Sequence, residues 1–368
     1  MSGVVLTGGE GFLGWHLACR LRARHETTPA RLGRGAIDEA AFADSGTVFH
    51  LAGVNRAAMA QDVEEGNVEV ARRTADAIRA AGRPITLVYA NSIQADLDNP
   101  YGRGKRRAGE VLAQAAGDVG GRYVDVMLPN LFGEHGRPAY NSFVATFAAA
   151  VARGERPTVT EDREVPLLHA QRAAQVLIEA AEGADDTVRP AGEKHTVSDV
   201  LARLGGYHSM YAGRGDVPDL RDPFDVDLFN TYRSFLFPDA FPVHPQLHED
   251  ARGRLFETVR SYGGTGQSFV STTVPGATRG NHYHLHKIER FFVVRGEAEI
   301  ALRRLYDTEV VRFRLSGDAP GFVDMPTMWV HNVSNVGESE LVTVFWADQL
   351  LDPENADQYP ERVEVDAP

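Results

Sequence analysis

The chain has a single cysteine, Cys19, in 368 residues. That excludes an intrachain disulfide framework and fits a reducing compartment. No apolar run is long enough for a membrane: the longest nearly apolar stretch, Phe143 to Ala152, falls well short of the ~20 residues a span needs. Positive charge is not in excess either. Basic residues number 38 against 51 acidic, a net of −13, which disfavours non-specific adhesion to nucleic acid or an anionic bilayer. An anionic small substrate stays open, because a local basic pocket does not require a basic protein. The start, Met1-Ser2-Gly3-Val4-Val5-Leu6-Thr7, has no charged leader and runs straight into strand-like residues. No signal peptide and no membrane insertion are therefore expected, and the expected location is cytoplasmic. Internal repeats and low-complexity tracts are also missing. What remains is an ordinary globular balance, 43% hydrophobic and 24% charged, over a length that allows two domains of roughly 100–200 residues each.

The first half alternates strand-like and helix-like stretches, as a parallel α/β sheet requires. Val4 to Leu6, Thr47 to Leu51, Ile85 to Ala90 and Tyr123 to Leu128 read as strands. Phe12 to Arg24, Val68 to Ala80 and Tyr101 to Ala116 read as helices. Between Gly183 and Leu247 the pattern turns irregular, rich in Gly, Pro and Asp, and reads as a substrate cap and linker. Beyond about Asp250 the period changes to short strands split by Gly, Asp and Pro: Phe269 to Val274, Phe291 to Val294, Glu297 to Arg303, Val310 to Leu315 and Leu341 to Trp346. Such spacing indicates a sandwich or barrel. The boundary is expected near residues 240–253, giving domains of 1–245 and 250–368.

Thr7-Gly8-Gly9-Glu10-Gly11-Phe12-Leu13-Gly14 joins the first strand to the first helix. A dinucleotide site needs this arrangement: one glycine for the tight turn, one for close approach to pyrophosphate, one for helix-on-strand packing. The helix N-terminus then offers unpaired N–H groups to the phosphates. Two registers fit, Gly8-x-x-Gly11-x-x-Gly14 and Gly9-x-Gly11-x-x-Gly14. The acidic residue that should end a second strand and hold the adenosine ribose is missing. His25 to Gly35 reads as strandless and offers Arg31 and Arg34 instead, and a guanidinium suits a 2′-phosphate. NADP(H) is thus expected over NAD(H).

Tyr101-Gly-Arg-Gly-Lys105 places a phenol and an ammonium four residues apart, on one helix face. The cation is expected to lower the pKa of the phenol, so that Tyr101 can exchange a proton with an alkoxide. Ser92, at the end of the preceding strand, can hold the same oxygen.

With these motifs in place, residues 1 to about 240 resemble the extended short-chain dehydrogenase/reductases that act on nucleotide sugars, a Rossmann fold. His50-Leu51-Ala52-Gly53, Asn67-Val68 and Pro129-Asn130-Leu131-Phe132-Gly133 match further segments of that family, although Met127 stands where it usually has arginine. The resemblance implies cofactor contacts at Thr7, Gly8, Gly11, Phe12, Leu13, Gly14, Leu51, Ala52, Gly53, Asn67, Tyr101, Lys105 and Pro129. It implies substrate contacts at Ser92, Asn130 and Asn141. Nucleotide-sugar dehydratases of the family carry Asp and Glu directly after the hydroxyl residue. Here Ile93 and Gln94 cannot perform that acid–base work, so reduction is the expected chemistry.

In the second half, His282 and His284 are two apart on a strand and point to one face. Glu289 can join them after a short connection, and His331 supplies a fourth ligand from another strand. Three imidazoles and a carboxylate suit Zn, Fe, Mn or Ni. Zinc is the expected ion, since nothing calls for redox chemistry there. His286 is in phase with the pair as a rival ligand. Gly276-x5-His282-x-His284-x4-Glu289-x6-Gly296 is similar to the first motif of the cupin barrels. The second, Pro326 to Asn335, departs at Met328, where glycine is usual.

Together with Asn99-Pro100-Tyr101-Gly102, Tyr140-Asn141-Ser142 and Gly280-Asn281-His282-Tyr283-His284, these motifs make the chain resemble the CapF family of bifunctional capsular-polysaccharide enzymes. The resemblance implies C3 epimerisation of a UDP-4-keto-6-deoxy-2-acetamido-hexose in the cupin, then C4-ketone reduction with NADPH in the N-terminal domain, and a homodimer. A C4 ketone acidifies the C3 proton, so that order is chemically sensible. Two rivals remain: a reductase or epimerase whose cupin is only a structural or dimerisation module, and a non-catalytic nucleotide-sugar sensor. Tyr283, His286 and Lys287 are open candidates for the general base of the cupin.

Overall fold

The structure, a computed structural model, describes residues 3–24, 28–354 and 356–365, so Met1, Ser2 and His25 fall outside the described residues. In chain order the elements are β1 (Gly3–Thr7), α1 (Phe12–Ala23), β2 (Ala30–Leu32), α2 (Glu39–Asp44), β3 (Ser45–His50), α3 (Ala60–Ala81), β4 (Thr86–Ser92), α4 (Pro100–Asp118), β5 (Arg122–Leu128), β6 (Asn130–Phe132), α5 (Phe143–Ala152), β7 (Glu164–His169), α6 (Ala170–Glu182), β8 (Thr187–Val188), β9 (Glu193–Thr196), α7 (Val197–Tyr211) and α8 (Pro223–Arg233). The remainder is β: β10 (His248–Asp250), β11 (Gly253–Leu255), β12 (Gln267–Thr273), β13 (Thr278–Tyr283), β14 (Glu289–Arg295), β15 (Glu297–Arg304), β16 (Val310–Ser316), β17 (Gly321–Met325), β18 (Trp329–Asn335), β19 (Leu341–Ala347) and β20 (Tyr359–Pro360). They form two compact units, Met1–Ser142 with Arg163–Thr196, and Phe143–Asp162 with Val197–Pro368.

The first unit is a parallel sheet in the order β2-β1-β3-β4-β5-β8, with helices packed on it. Val5, Val48, Leu87 and Tyr89 meet Ala71 and Ile78 of α3 and Ala108, Leu112 and Ala116 of α4 in one core. The three α4 residues recur every four positions and so share a face. Full burial of each large apolar side chain stabilises by about 1.5–3 kcal/mol. The strand order reverses between β1 and β3, which places the ligand crevice of such sheets at their carboxyl ends. Two expectations are corrected here. The stretch read as strandless contains β2, which pairs in parallel with Val5–Thr7; three residues are too few to show a period, and only pairing with β1 makes them a strand. The helix read from Val68 begins at Ala60, so Asn67 lies two turns inside it rather than at its start.

The second unit combines α5, α7 and α8 with two antiparallel sheets, β12-β19-β14-β17 and β16-β15-β18-β13-β20. Ala298, Ile300 and Leu302 alternate along β15 and, with Phe291, Val293 and Phe345, fill the barrel interior. This is the all-β cupin half expected beside the Rossmann half. Residues 183–247 are more ordered than the irregular reading allowed, since they hold α7 and α8. The α7 residues Val197, Val200, Leu204, Tyr207 and Tyr211 do recur at helical spacing, but Gly205 and Gly206 blur that signal. Both helices are tied to the barrel by buried polar bonds. Arg290 and Asp324 are almost fully buried and meet at 2.6 Å. Tyr211 donates to Asp324 at 2.6 Å, Arg290 to the Gly215 carbonyl at 2.7 Å, and Arg233 to the Met325 carbonyl at 2.9 Å.

Candidate active site and metal centre

The glycine loop is shaped by close backbone contacts. Gly8 has φ +70°, and a Cβ there would lie 2.7 Å from Ala52 N. A Cβ on Gly14 would lie 2.3 Å from the Gly8 carbonyl. The N-terminus of α1, at Gly11, Phe12 and Leu13, has no side-chain cap and no acidic residue in its first turn. Uncapped N–H groups over a side-chain-free cradle fit a dinucleotide phosphate. Leu51 N donates to the Thr7 carbonyl at 3.0 Å, drawing the segment after β3 against the loop. Thr7 Oγ1 shares a hydrogen bond with His50 Nδ1 at 2.9 Å. Burial, then the charge of Lys105, pushes His50 down to about 3, so its imidazole is neutral. Arg31 Nε donates to the Gly9 carbonyl at 3.1 Å, which holds that side chain on the loop, whereas Arg34 is exposed.

Asn67 holds main chain: its Nδ2 donates to Val54 O and Val63 O, both at 2.7 Å, and its Oδ1 accepts from Val54 N. It therefore shapes the turn around Gly53.

Asn99 caps α4 through Gly102 N at 2.8 Å, with Pro100 as the first helical residue. That cap puts Tyr101 in the first turn and Lys105 one turn later. Ser92, at the end of β4, accepts from Gln94 N at 3.2 Å and lies near enough to Tyr101 to favour its phenolate. The expected lowering of the phenol by Lys105 is corrected by the structure. Burial raises Tyr101, and the group that opposes this is Ser92. Lys105 Nζ instead donates to the Ala90 carbonyl at 2.8 Å and lies 4.4 Å from the Tyr89 ring centroid. Burial brings Lys105 down to about 7.

Pro129 is buried between β5 and β6, and Asn130 Nδ2 donates to the Pro166 carbonyl at 3.3 Å. Asn141 accepts from Arg56 Nε at 2.8 Å. Met127 is buried core. Sequence reasoning missed a buried polar brace behind this segment, in which His169 Nε2 donates to Glu134 at 3.0 Å and His16 bonds the Glu134 carbonyl. Isolated His and Glu residues so far apart carry no local signal.

In the barrel, the donor atoms of His282, His284, Glu289 and His331 lie within 4.8 Å of one another. Glu289 Oε2 is 3.6, 3.1 and 3.3 Å from the Nε2 atoms of His282, His284 and His331. His286 is not among the four. His331 Nδ1 donates to the Trp329 carbonyl at 3.0 Å, and His284 Nδ1 to the Asp357 carbonyl. Each proton is thereby fixed on Nδ1, which leaves the Nε2 lone pair facing inward. His282 Nε2 is buried with no hydrogen-bond partner. Burial pushes His331 down to about 3. Burial would raise Glu289, but His284, His282 and His331 outweigh it and hold the carboxylate ionised. Inward lone pairs around an anionic oxygen fit a cation. Met328 takes φ +61°, so the turn usually made by glycine is kept. Its N–H donates to the His284 carbonyl at 2.7 Å. Of the candidate bases, Lys287 Nζ lies 3.5 Å from Glu289 Oε1, and Tyr283 is buried.

Comparison with known proteins adds the lineage. Residues 4–191 match the NAD dependent epimerase/dehydratase family, and residues 248–359 the polysaccharide biosynthesis C-terminal domain. UDP-2-acetamido-2,6-beta-L-arabino-hexul-4-ose reductase of Pseudomonas aeruginosa (strain PA103) is 31% identical over 373 residues, 97% of each chain. The capsular polysaccharide assembling protein CapF from Staphylococcus aureus superposes with a TM-score of 0.63 at 30% identity, over 98% of this chain and 100% of that one. UDP-N-acetylglucosamine 4-epimerase from Methanobrevibacter ruminantium M1, in complex with UDP-N-acetylmuramic acid, shares the fold alone, at 20% identity and TM-score 0.54 over 64% of this chain and 98% of that one. Among the described residues no helix is long and apolar enough to cross a membrane. The chain belongs to the CapF-like capsular polysaccharide proteins, an enzyme family in which an NAD-dependent epimerase/dehydratase domain precedes a polysaccharide biosynthesis C-terminal domain.

Proposed function

We propose that residues 1–245 reduce the C4 ketone of a UDP-4-keto-6-deoxy-2-acetamido-hexose with NADPH, and that residues 250–368 first epimerise its C3. The observation that carries the reductase reading is the placement of Ser92, at the end of β4, beside Tyr101 in the first turn of α4, with Lys105 one turn on, at the carboxyl end of the sheet. Ser92 orients the ketone oxygen. Burial keeps the Tyr101 phenol protonated near neutral pH, the form that donates to the alkoxide as C4 is reduced. Gly8, Gly11 and Gly14 at the start of α1 would hold the pyrophosphate of a nicotinamide dinucleotide, which would supply hydride chemistry toward C4. In the barrel, His282, His284, Glu289 and His331 would hold a divalent ion, zinc by preference. Such an ion supplies Lewis acidity toward a ketone oxygen. The same reading includes a homodimer, as the family resemblance implies, and a reducing, cytoplasmic location, which the single cysteine fits.

The test is incubation with the 4-keto UDP-sugar and NADPH in deuterated water, with NMR of the products. The wild type should give a C4 alcohol deuterated at C3. Tyr101→Phe should lose about 100- to 10,000-fold in reduction while deuterium still enters C3. His282→Ala should stop deuterium entry and lower metal content, with reduction of supplied C3-epimer intact. Unchanged reduction by Tyr101→Phe would sink the reductase assignment. Deuterium entry in metal-free, folded protein would make the ion a structural staple.

A further inference from the structure

The loop joining ligands His284 and Glu289 is held by residues far away in sequence. Leu285 N donates to Asp357 Oδ1 at 2.9 Å, and His286 N and Lys287 N donate to Asp357 Oδ2 at 2.7 and 2.8 Å. The next amide, Ile288 N, donates to Asp348 Oδ1 at 2.9 Å. Four consecutive N–H groups thus end on two carboxylates. Such a run of amides is an anion-binding concavity, and here the chain fills it with its own side chains. The carbonyls are held too. His286 O accepts from Asn230 Nδ2 at 2.8 Å and His284 O from Met328 N at 2.7 Å. The main-chain oxygen of Asp357 accepts from His284 Nδ1, so one residue fixes both the loop and the tautomer of a ligand.

The segment around Asp357 is itself anchored on the ligand strand. Tyr359 and Pro360 pair with Tyr283 and His282 of β13, and Glu361 N donates to Asn281 O at 2.9 Å. Arg303, 3% exposed, donates to Val363 O and Arg362 O, both at 2.8 Å.

We infer that residues 356–363 are a working part of the metal centre, with Asp357 as the positioning residue that sets the His284–Glu289 loop for ligation. Removing its carboxylate frees three amides at once and loosens two of the four ligands. Partners that orient ligands in this way typically carry about 10- to 100-fold of metal affinity. The inference rests on the metal-site reading above.

The experiment measures zinc affinity by competition with a chromogenic chelator, and the visible spectrum after cobalt loading, for full-length protein. Asp357→Ala should bind zinc about 10- to 100-fold more weakly and change the cobalt spectrum. Asp357→Asn should also weaken binding, because its NH2 group faces amide donors. Asp352→Ala, exposed in the same tail, should match the wild type. A folded Asp357→Ala with wild-type affinity and spectrum overturns the inference. Should that variant not fold, hydrogen exchange of the wild type decides. Coupling is reciprocal, so zinc must slow exchange of the Leu285, His286 and Lys287 amides by a similar factor, and no slowing overturns the inference. A wild type that binds no ion refutes the metal-site reading instead, a separate result.

Discussion

Lys105 should titrate near neutrality in the cofactor-free protein. Its ammonium is fully buried against the Tyr89 ring and a carbonyl, and burial brings its pKa from 10.5 to about 7, against a smaller upward pull from Asp125. Between about pH 7 and 10.5 the unfolded chain then holds a proton that the folded chain has released, so stability rises with pH across that window. The cost of the buried charge is fully present below about pH 7. From pH 7 to 9 the gain is two pH units at about 1.4 kcal/mol each, or roughly 2–3 kcal/mol. Only three lysines occur, Lys105, Lys194 and Lys287, so NMR of ¹³C-labelled lysine resolves each directly. One signal should move near pH 7 and vanish in Lys105→Met. Native-state hydrogen exchange of β4 amides should show the wild type gaining those roughly 2–3 kcal/mol on Lys105→Met between pH 7 and 9. A Lys105 signal that titrates near pH 10, or a stability gap that is flat with pH, would refute the reasoning.

Gly14→Ala drives a Cβ into the Gly8 carbonyl and should weaken NADPH binding at least ~10-fold by fluorescence titration; wild-type affinity would mean the loop is not the phosphate site. Asp324→Asn leaves the buried Arg290 without its counter-charge and should destabilise the second unit by about 3–5 kcal/mol in urea unfolding. A midpoint equal to the wild type would show that the Gly215 and Thr258 carbonyls suffice for Arg290. Arg31→Ala should lose NADPH affinity about 10- to 100-fold and leave NADH affinity unchanged; equal losses for both cofactors would assign Arg31 to loop support alone.

Several features were legible because they are local. A glycine loop, the Tyr101/Lys105 pair on one helix face and a strand-spaced His282/His284 pair each act within a few residues of themselves. The parallel-then-antiparallel division followed from the change of hydrophobic period. By contrast β2 had no period to show, and α7 and α8 were obscured by the glycines, prolines and aspartates around them.

The sequence by itself determined which groups are available, since the glycine spacing, Tyr101 with Lys105, and the four metal donors are properties of spacing along a helix or strand. Only the tertiary structure decided what those groups experience. The pKa of Tyr101 is raised because burial outweighs Ser92, and Lys105 is turned toward Ala90 and Tyr89. Asp357 reaches a loop 70 residues earlier. Burial and long-range hydrogen bonds depend on what packs around a residue, and no local pattern records that.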